Sequence, residues 1–339
     1  MKFRRVLTLA AAGSLVLGLA ACTTETDDPD SLVLYSGRGE ALVGPLIETI
    51  EESTGLDIDV RYASTPEMAA QIAEEGEASP ADLFFAQDAG ALGALAGAGL
   101  LQELDDDVVG MVPDEYRAVD DSWVATSLRA RVLVYDSEEL TETEVPDTID
   151  ALLDPAWSGR VAYAPTNASF QTFVTGLRVD RGDEAAEEWL EGFLANDPQA
   201  FDNNGALLEA VDAGTVELGL TNHYYWYNTA QEQGEDTMRA RVRYMAEGDP
   251  GALVNVAGVG ILASTDNPDG ARSVVEALLD EPAQRYFLEE TSEYPVIDGI
   301  TADSVTLPPL ETLGGPDIDL GDLDDLEETQ AMLTRVGMI

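Results

Sequence analysis

Beyond residue 30 the chain consists of short apolar runs separated by amphipathic stretches. Residues 32–35 are apolar and predict a buried strand. Residues 41–53 carry apolar positions at helical spacing and stop at Gly55, which predicts an amphipathic helix closed by glycine. A strand over 56–62, a helix opening at Thr65-Pro66 and ending near Gly76, a strand over 82–85 and a small-residue helix over 89–98 continue the series. This β-α-β-α-β-α order predicts an α/β fold of mostly parallel sheet with covered faces. Strands are then expected over 123–127 and 131–135, flanking Arg129, where the chain crosses into a second lobe. The alternation restarts with a short helix over 148–153, a strand over 160–164 and a helix opening at Asn167-Ala168-Ser169. Helices over 184–194 and 205–213 lead to a strand over 217–221, and the polar segment from Asn228 onward reads as a helix. Strands are expected over 239–245 and 253–262, the latter returning to the first lobe, and helices over 268–280, 282–290 and 326–336. Residues 31–130 and 255–305 are therefore expected to form lobe I, and residues 131–254 and 306–339 lobe II.

The first thirty residues change the picture of where the protein works. Lys2, Arg4 and Arg5 precede an apolar run over 6–20, which is too short to cross a bilayer and reads as a secretory signal over 1–21. Leu19-Ala20-Ala21-Cys22 is similar to a lipobox, which implies cleavage before Cys22 and acylation of its thiol. Residues 22–30 read as a polar tether. Cys22 is the only cysteine, which leaves no disulfide, thiol catalysis or cysteine-bound metal in the folded part. The formal net charge is −49 and Lys2 is the only lysine. Nucleic acid and anionic membrane surfaces are excluded as partners by that charge, so membrane contact is expected through the lipid anchor alone.

The chemistry gathers at Thr221-Asn222-His223-Tyr224-Tyr225-Trp226-Tyr227, where a buried strand ends and the only histidine meets three tyrosines. Two adjacent phenols at a strand-to-helix turn can supply two anionic oxygens to a hard trivalent cation. They can equally be an aromatic cluster packed beneath a loop. Asn167, Ala168 and Ser169 at one helix start, Asn204 before another and Asn222 beside the tyrosines suggest an anion-binding cleft, although caps and turns use the same residues. Arg38 and Arg129 are candidates to face that cleft from lobe I or the hinge, and surface ion pairs would account for either alone. There is no phosphate-cradling loop with a lysine, no Gly-x-Ser-x-Gly elbow and no paired-histidine metal box. A hydrolase would have to rely on His223 without a positioned nucleophile, so the chain is expected not to be an enzyme.

The runs Tyr163-Ala164-Pro165-Thr166-Asn167-Ala168-Ser169-Phe170, Asn222-His223-Tyr224-Tyr225-Trp226 and Asp249-Pro250-Gly251-Ala252-Leu253-Val254 resemble the ferric-ion-binding proteins of bacterial ABC iron importers. The likeness extends to Tyr35-Ser36-Gly37-Arg38 and Ser79-Pro80-Ala81-Asp82. It implies a type II periplasmic-binding-protein fold with two hinge strands, closing over Fe3+ with carbonate or phosphate as synergistic anion. It also implies a monomer, anchored outside the cytoplasm, that delivers iron to a permease. Tyr224 and Tyr225 match the family's metal-ligating tyrosines, and Asn167, Ala168, Ser169, Asn204 and Asn222 match positions that hold the anion. Arg38 and Arg129 fit the arginines of carbonate-using relatives. Where one subgroup has a histidine and a glutamate in lobe I, this chain has Gly39 and Gln87; where another has a third tyrosine, it has Ser169 and Phe170. Ser36, Glu40 and Asp88 are further candidates for lobe I contacts. Relatives that take phosphonate, thiamine or sulfate keep open the alternative of an anion or organic solute in place of iron.

Overall fold

The computed structural model describes residues 31–302 and 304–339. The signal over 1–21, Cys22 and the tether lie outside the described residues.

The chain runs β1 (Ser31–Ser36), α1 (Glu40–Thr54), β2 (Asp57–Tyr62), α2 (Thr65–Glu75), β3 (Leu83–Ala86), α3 (Ala89–Gly97), α4 (Asp106–Val109) and β4 (Val124–Asp136). It continues β5 (Val161–Tyr163), α5 (Ala168–Arg181), α6 (Asp183–Ala195), β6 (Gln199–Ala200), α7 (Asn204–Asp212), β7 (Leu218–Asn222), α8 (His223–Gln233), β8 (Ala240–Tyr244) and β9 (Val254–Ile261). It closes with α9 (Pro268–Leu279), α10 (Glu281–Glu289), β10 (Tyr294–Pro295) and α11 (Leu326–Val336). The helix ends follow local chemistry. Gly55 adopts φ 75° to close α1, and Ser64 with Glu67 forms a reciprocal capping box on α2.

The strand order β2-β1-β3-β9-β4-β7-β5-β6 passes through β4, which also carries β10 and β8. Parallel pairs lie at the two outer ends, β1 with β2 and β3, and β5 with β6 and β7. The crossing strands are antiparallel: β4 pairs with β9 and β10 in its first half and with β7 and β8 in its second. The sheets are thus mixed rather than mostly parallel. A strand that leaves one lobe and a strand that returns to it must run in opposite directions.

β4 is one 13-residue strand, not the two short ones expected around Arg129. Polar Ser127, Arg129 and Arg131 suggest a break in sequence, yet every residue of β4 is buried because both lobes cover it. One apolar core gathers Leu34, Phe84, Phe85, Trp123, Val259 and Phe287 around the first half of the sheet. A second gathers Leu133, Phe170, Phe173, Trp189 and Leu220. The C-terminal segment joins both, since Leu320 and Leu323 pack into the first core while Met332 and Leu333 pack into the second. Among the described residues no helix is long and apolar enough to cross a membrane.

Candidate metal and anion site

β7 passes into α8 without a loop: Asn222 is the extended N-cap and His223 the first helical residue. The helix therefore starts five residues earlier than its polar pattern suggests, and the tyrosine pair lies in its first turn rather than before it. The cause is burial, since His223, Tyr224 and Trp226 are turned into the core and remove the polar face that marks a helix in sequence. Tyr224 is buried and Tyr225 half-buried, and their rings stack at 4.3 Å with 28° between planes. Both rings therefore lie side by side. Burial, reinforced by Tyr225 and opposed by Arg129, pushes the Tyr224 phenol well above its ordinary range.

His223 has a different role. Its ring is fully buried, its Nδ1 accepts from the Ala130 N–H at 3.2 Å, and it packs 5.0 Å from Tyr294. Burial pushes its imidazole down to about 4. A histidine held neutral in the fold but free to protonate near ~6.5 when unfolded makes the unfolded state bind the extra proton. Stability is then complete above about pH 6.5 and falls by up to about 3 kcal/mol as the pH drops toward 4. Urea unfolding measured across that window should show this loss, with a shallower slope in His223→Asn. An unchanged slope would mean that His223 does not govern it.

The second lobe supplies a linked set of amides and hydroxyls. Asn167 caps α5 by accepting from the Ser169 N–H at 3.0 Å and from Ser169 Oγ at 2.7 Å. Ala168 opens that helix. Asn204 is the first residue of α7, whose cap is Asn203, and its Nδ2 instead donates to Ser169 Oγ at 3.0 Å. Asn222 is an N-cap by position but makes no side-chain cap hydrogen bond. Its Oδ1 and that of Asn204 are buried without a protein partner. Arg131, which sequence reasoning missed, joins this set: its Nη1 donates to the Ser169 carbonyl at 2.9 Å, and its Cα pairs with that of Asn222 across β4 and β7. Its guanidinium lies over Phe173 at 5.0 Å, its Nε and Nη2 have no partner, and burial pushes it down to about 9. Counting by twos from Arg129 along an unbroken strand would have found it.

At the hinge, Arg129 donates from Nη2 to the Val256 carbonyl at 2.7 Å and leaves Nε and Nη1 unpartnered while buried. Arg38 is fully buried, with Nη2 donating to both Glu293 oxygens at 2.8 and 3.0 Å and Nε without a partner. The lobe I candidates lie in and around local turns and helix caps. Ser36 Oγ is used in its own turn, bonded to the Arg38 carbonyl and N–H. Gly39 caps α1, and Glu40 beside it is exposed. Gln87 is half-buried, and its N–H donates to Thr65 Oγ1. Asp88 caps α3 through the Ala91 N–H at 3.0 Å, and burial raises its carboxyl pKa against the pull of that N–H and of Arg129. Among the described residues no three of His, Cys, Asp and Glu are grouped so as to hold a metal ion. A metal here would therefore not be held by a cluster of such side chains alone, which leaves room for phenols and an anion among its donors.

A family model described as bacterial extracellular solute-binding protein matches residues 78–319. The chain belongs to that family. This solute-binding protein is 30% identical over 321 residues to the major ferric iron-binding protein of Neisseria meningitidis serogroup B, covering 94% of this chain and 96% of that one. It is 29% identical over 329 residues to the Fe(3+)-binding periplasmic protein of Serratia marcescens, covering 97% and 96%. Among solved structures, iron-bound HitA from Pseudomonas aeruginosa superposes with a TM-score of 0.86 at 34% identity, covering 91% of this chain and 99% of that one. Trichodesmium IdiA (FutA) in complex with iron and citrate superposes at 0.76 and 26%, with 91% and 99% covered. The fold of this solute-binding protein is accordingly the type II periplasmic-binding-protein fold.

Proposed function

We propose that this chain is an extracytoplasmic solute-binding lipoprotein that carries Fe3+ between its lobes and delivers it to an ABC permease, with no covalent chemistry of its own. Tyr224 and Tyr225 serve as phenolate ligands from the first turn of α8. A carbonate or phosphate completes the shell, held by Asn167, Ala168, Ser169, Asn204 and Asn222 of the second lobe and by Arg129 and Arg131 of the hinge strand. The observation that carries this reading is a group of buried polar atoms without partners on β4, β7 and the start of α7, among them Arg129 Nε and Nη1, Arg131 Nε and Nη2, Asn204 Oδ1 and Asn222 Oδ1. Buried donors and acceptors are ordinarily satisfied, and two buried guanidinium groups with unpartnered N–H donors suit an anion. Phenolate oxygen suits a hard trivalent cation, and the anion adds oxygen donors where no three of His, Cys, Asp and Glu gather among the described residues. The relatives named for ferric iron support the same cargo.

The test is a visible absorbance titration of the metal-free mature protein with ferric citrate, with and without carbonate or phosphate. A tyrosinate-to-iron charge-transfer band saturating at one equivalent, and dependent on the anion, is the expected result. Absence of colour under every anion would overturn the iron assignment. Thermal stabilisation by phosphonate or sulfate alone would then identify an anion carrier.

A further inference from the structure

Glu293 belongs to no motif singled out above, yet it is fully buried beneath the hinge. Its carboxylate accepts both Arg38 bonds and a third from Ser127 Oγ at 2.7 Å. Ser127 and Arg129 stand at alternate positions of β4, and β10 holds Pro295 opposite Ser127, so Glu293 is fixed against the strand that carries the arginine row. The turn that delivers it is strained: the buried non-glycine Ser292 adopts φ 52°. The same residue accepts from Gln231 Nε2 of α8 at 2.9 Å through its Oγ, linking this turn to the tyrosine helix. Burial alone would raise the Glu293 carboxyl, but Arg38 and then Arg129 hold it below the usual range. It is therefore an anion built into the protein.

We infer that Glu293 is a specificity-determining residue: by cancelling the charge of Arg38 it limits the uncompensated positive charge at the hinge, and so sets how strongly an anion is drawn into the cleft. This rests on the anion-assisted reading above. Arg38, Arg129 and Arg131 are three buried cations on or beside the hinge strand; Glu293 is ion-paired with Arg38, while Arg129 also feels Glu293 and the buried Asp88. The unpartnered nitrogens of Arg129 and Arg131 remain to be met by the bound anion. Buried charges are screened by salt less than exposed ones, so Glu293 and the arginines of the hinge act on one another.

The experiment is isothermal titration of the metal-free mature protein with inorganic phosphate and with bicarbonate, repeated with equimolar ferric iron. Four proteins are compared: wild type, Glu293→Gln, Arg38→Met, and the double variant Arg38→Met with Glu293→Met. Glu293→Gln should bind phosphate on the order of tenfold more tightly, and Arg38→Met on the order of tenfold more weakly. The double variant should return to within about threefold of wild type, since the removed charges cancel. The more highly charged phosphate should shift more than bicarbonate. If Glu293→Gln does not fold, the contrast between Arg38→Met and the double variant carries the same test. Equal affinities across the folded proteins, or a double variant as altered as a single, would overturn the inference while leaving the iron assignment in place. A wild type that binds neither anion, with or without iron, would overturn both.

Discussion

Replacing Tyr225 with phenylalanine should abolish the ferric charge-transfer band and weaken iron binding by at least about a hundredfold, more than the ~10–100-fold that follows from loss of an outer-shell partner. The substitution removes one oxygen and leaves the ring. Tyr225 stacks on Tyr224 at 4.3 Å through its ring face, so phenylalanine preserves that packing, and its half-buried position limits any structural cost. Tyr224→Phe should have a similar effect on iron and, because the phenol's side-chain hydrogen bond is only with the neighbouring half-buried Tyr225, should leave the melting temperature within a few degrees of wild type. Calorimetry of each variant without metal separates a lost ligand from a damaged fold. Retention of colour and affinity in both variants would mean that the tyrosine pair is only an aromatic cluster. Anion affinity without iron should be nearly unchanged in Tyr225→Phe, because its holders are amides, hydroxyls and guanidinium groups.

Much of this arrangement is legible in residue order. Apolar runs and helical patterns locate β1 through α3 to within a residue or two, because those elements pack on a single core. The pattern fails where both lobes cover the chain. β4 reads as two strands because its arginines interrupt an apolar run, and α8 seems to start late because its first turn is buried. Both failures fall on the proposed site. Burying polar side chains without partners opposes folding, so local patterning is broken there while ligand chemistry is served. The asparagines show the same limit: Asn203 is the ordinary cap, while the adjacent Asn204 turns its amide to Ser169, and no sequence rule separates the two. Glu293 leaves no signal at all, since its meaning comes from a partner 255 residues away.

Iron affinity should fall steeply on acidification. Each phenol that becomes a phenolate ligand releases a proton, so a site built on Tyr224 and Tyr225 releases two per iron bound. Its apparent affinity then changes by about a hundredfold per pH unit as long as both phenols are protonated in the metal-free protein. Burial pushes the Tyr224 phenol well above its ordinary range, which keeps that proton in place throughout the neutral region. The sign follows: lowering the pH returns protons to the oxygens that hold the metal and favours release. Arg129 works in the other direction, since its positive charge favours the phenolate, and it does so from the residue proposed to hold the anion. Loss of that charge in Arg129→Met should weaken iron binding and leave the slope at two. Chelator competition between about pH 5.5 and about pH 7.5, with oxalate as a co-ligand that stays ionised and with correction for the chelator's own protonation, measures the slope directly. Tyr224→Phe should reduce it to one. A slope near zero in the wild type would show that neither phenol is ionised on binding, and the tyrosine pair would then not be the metal site.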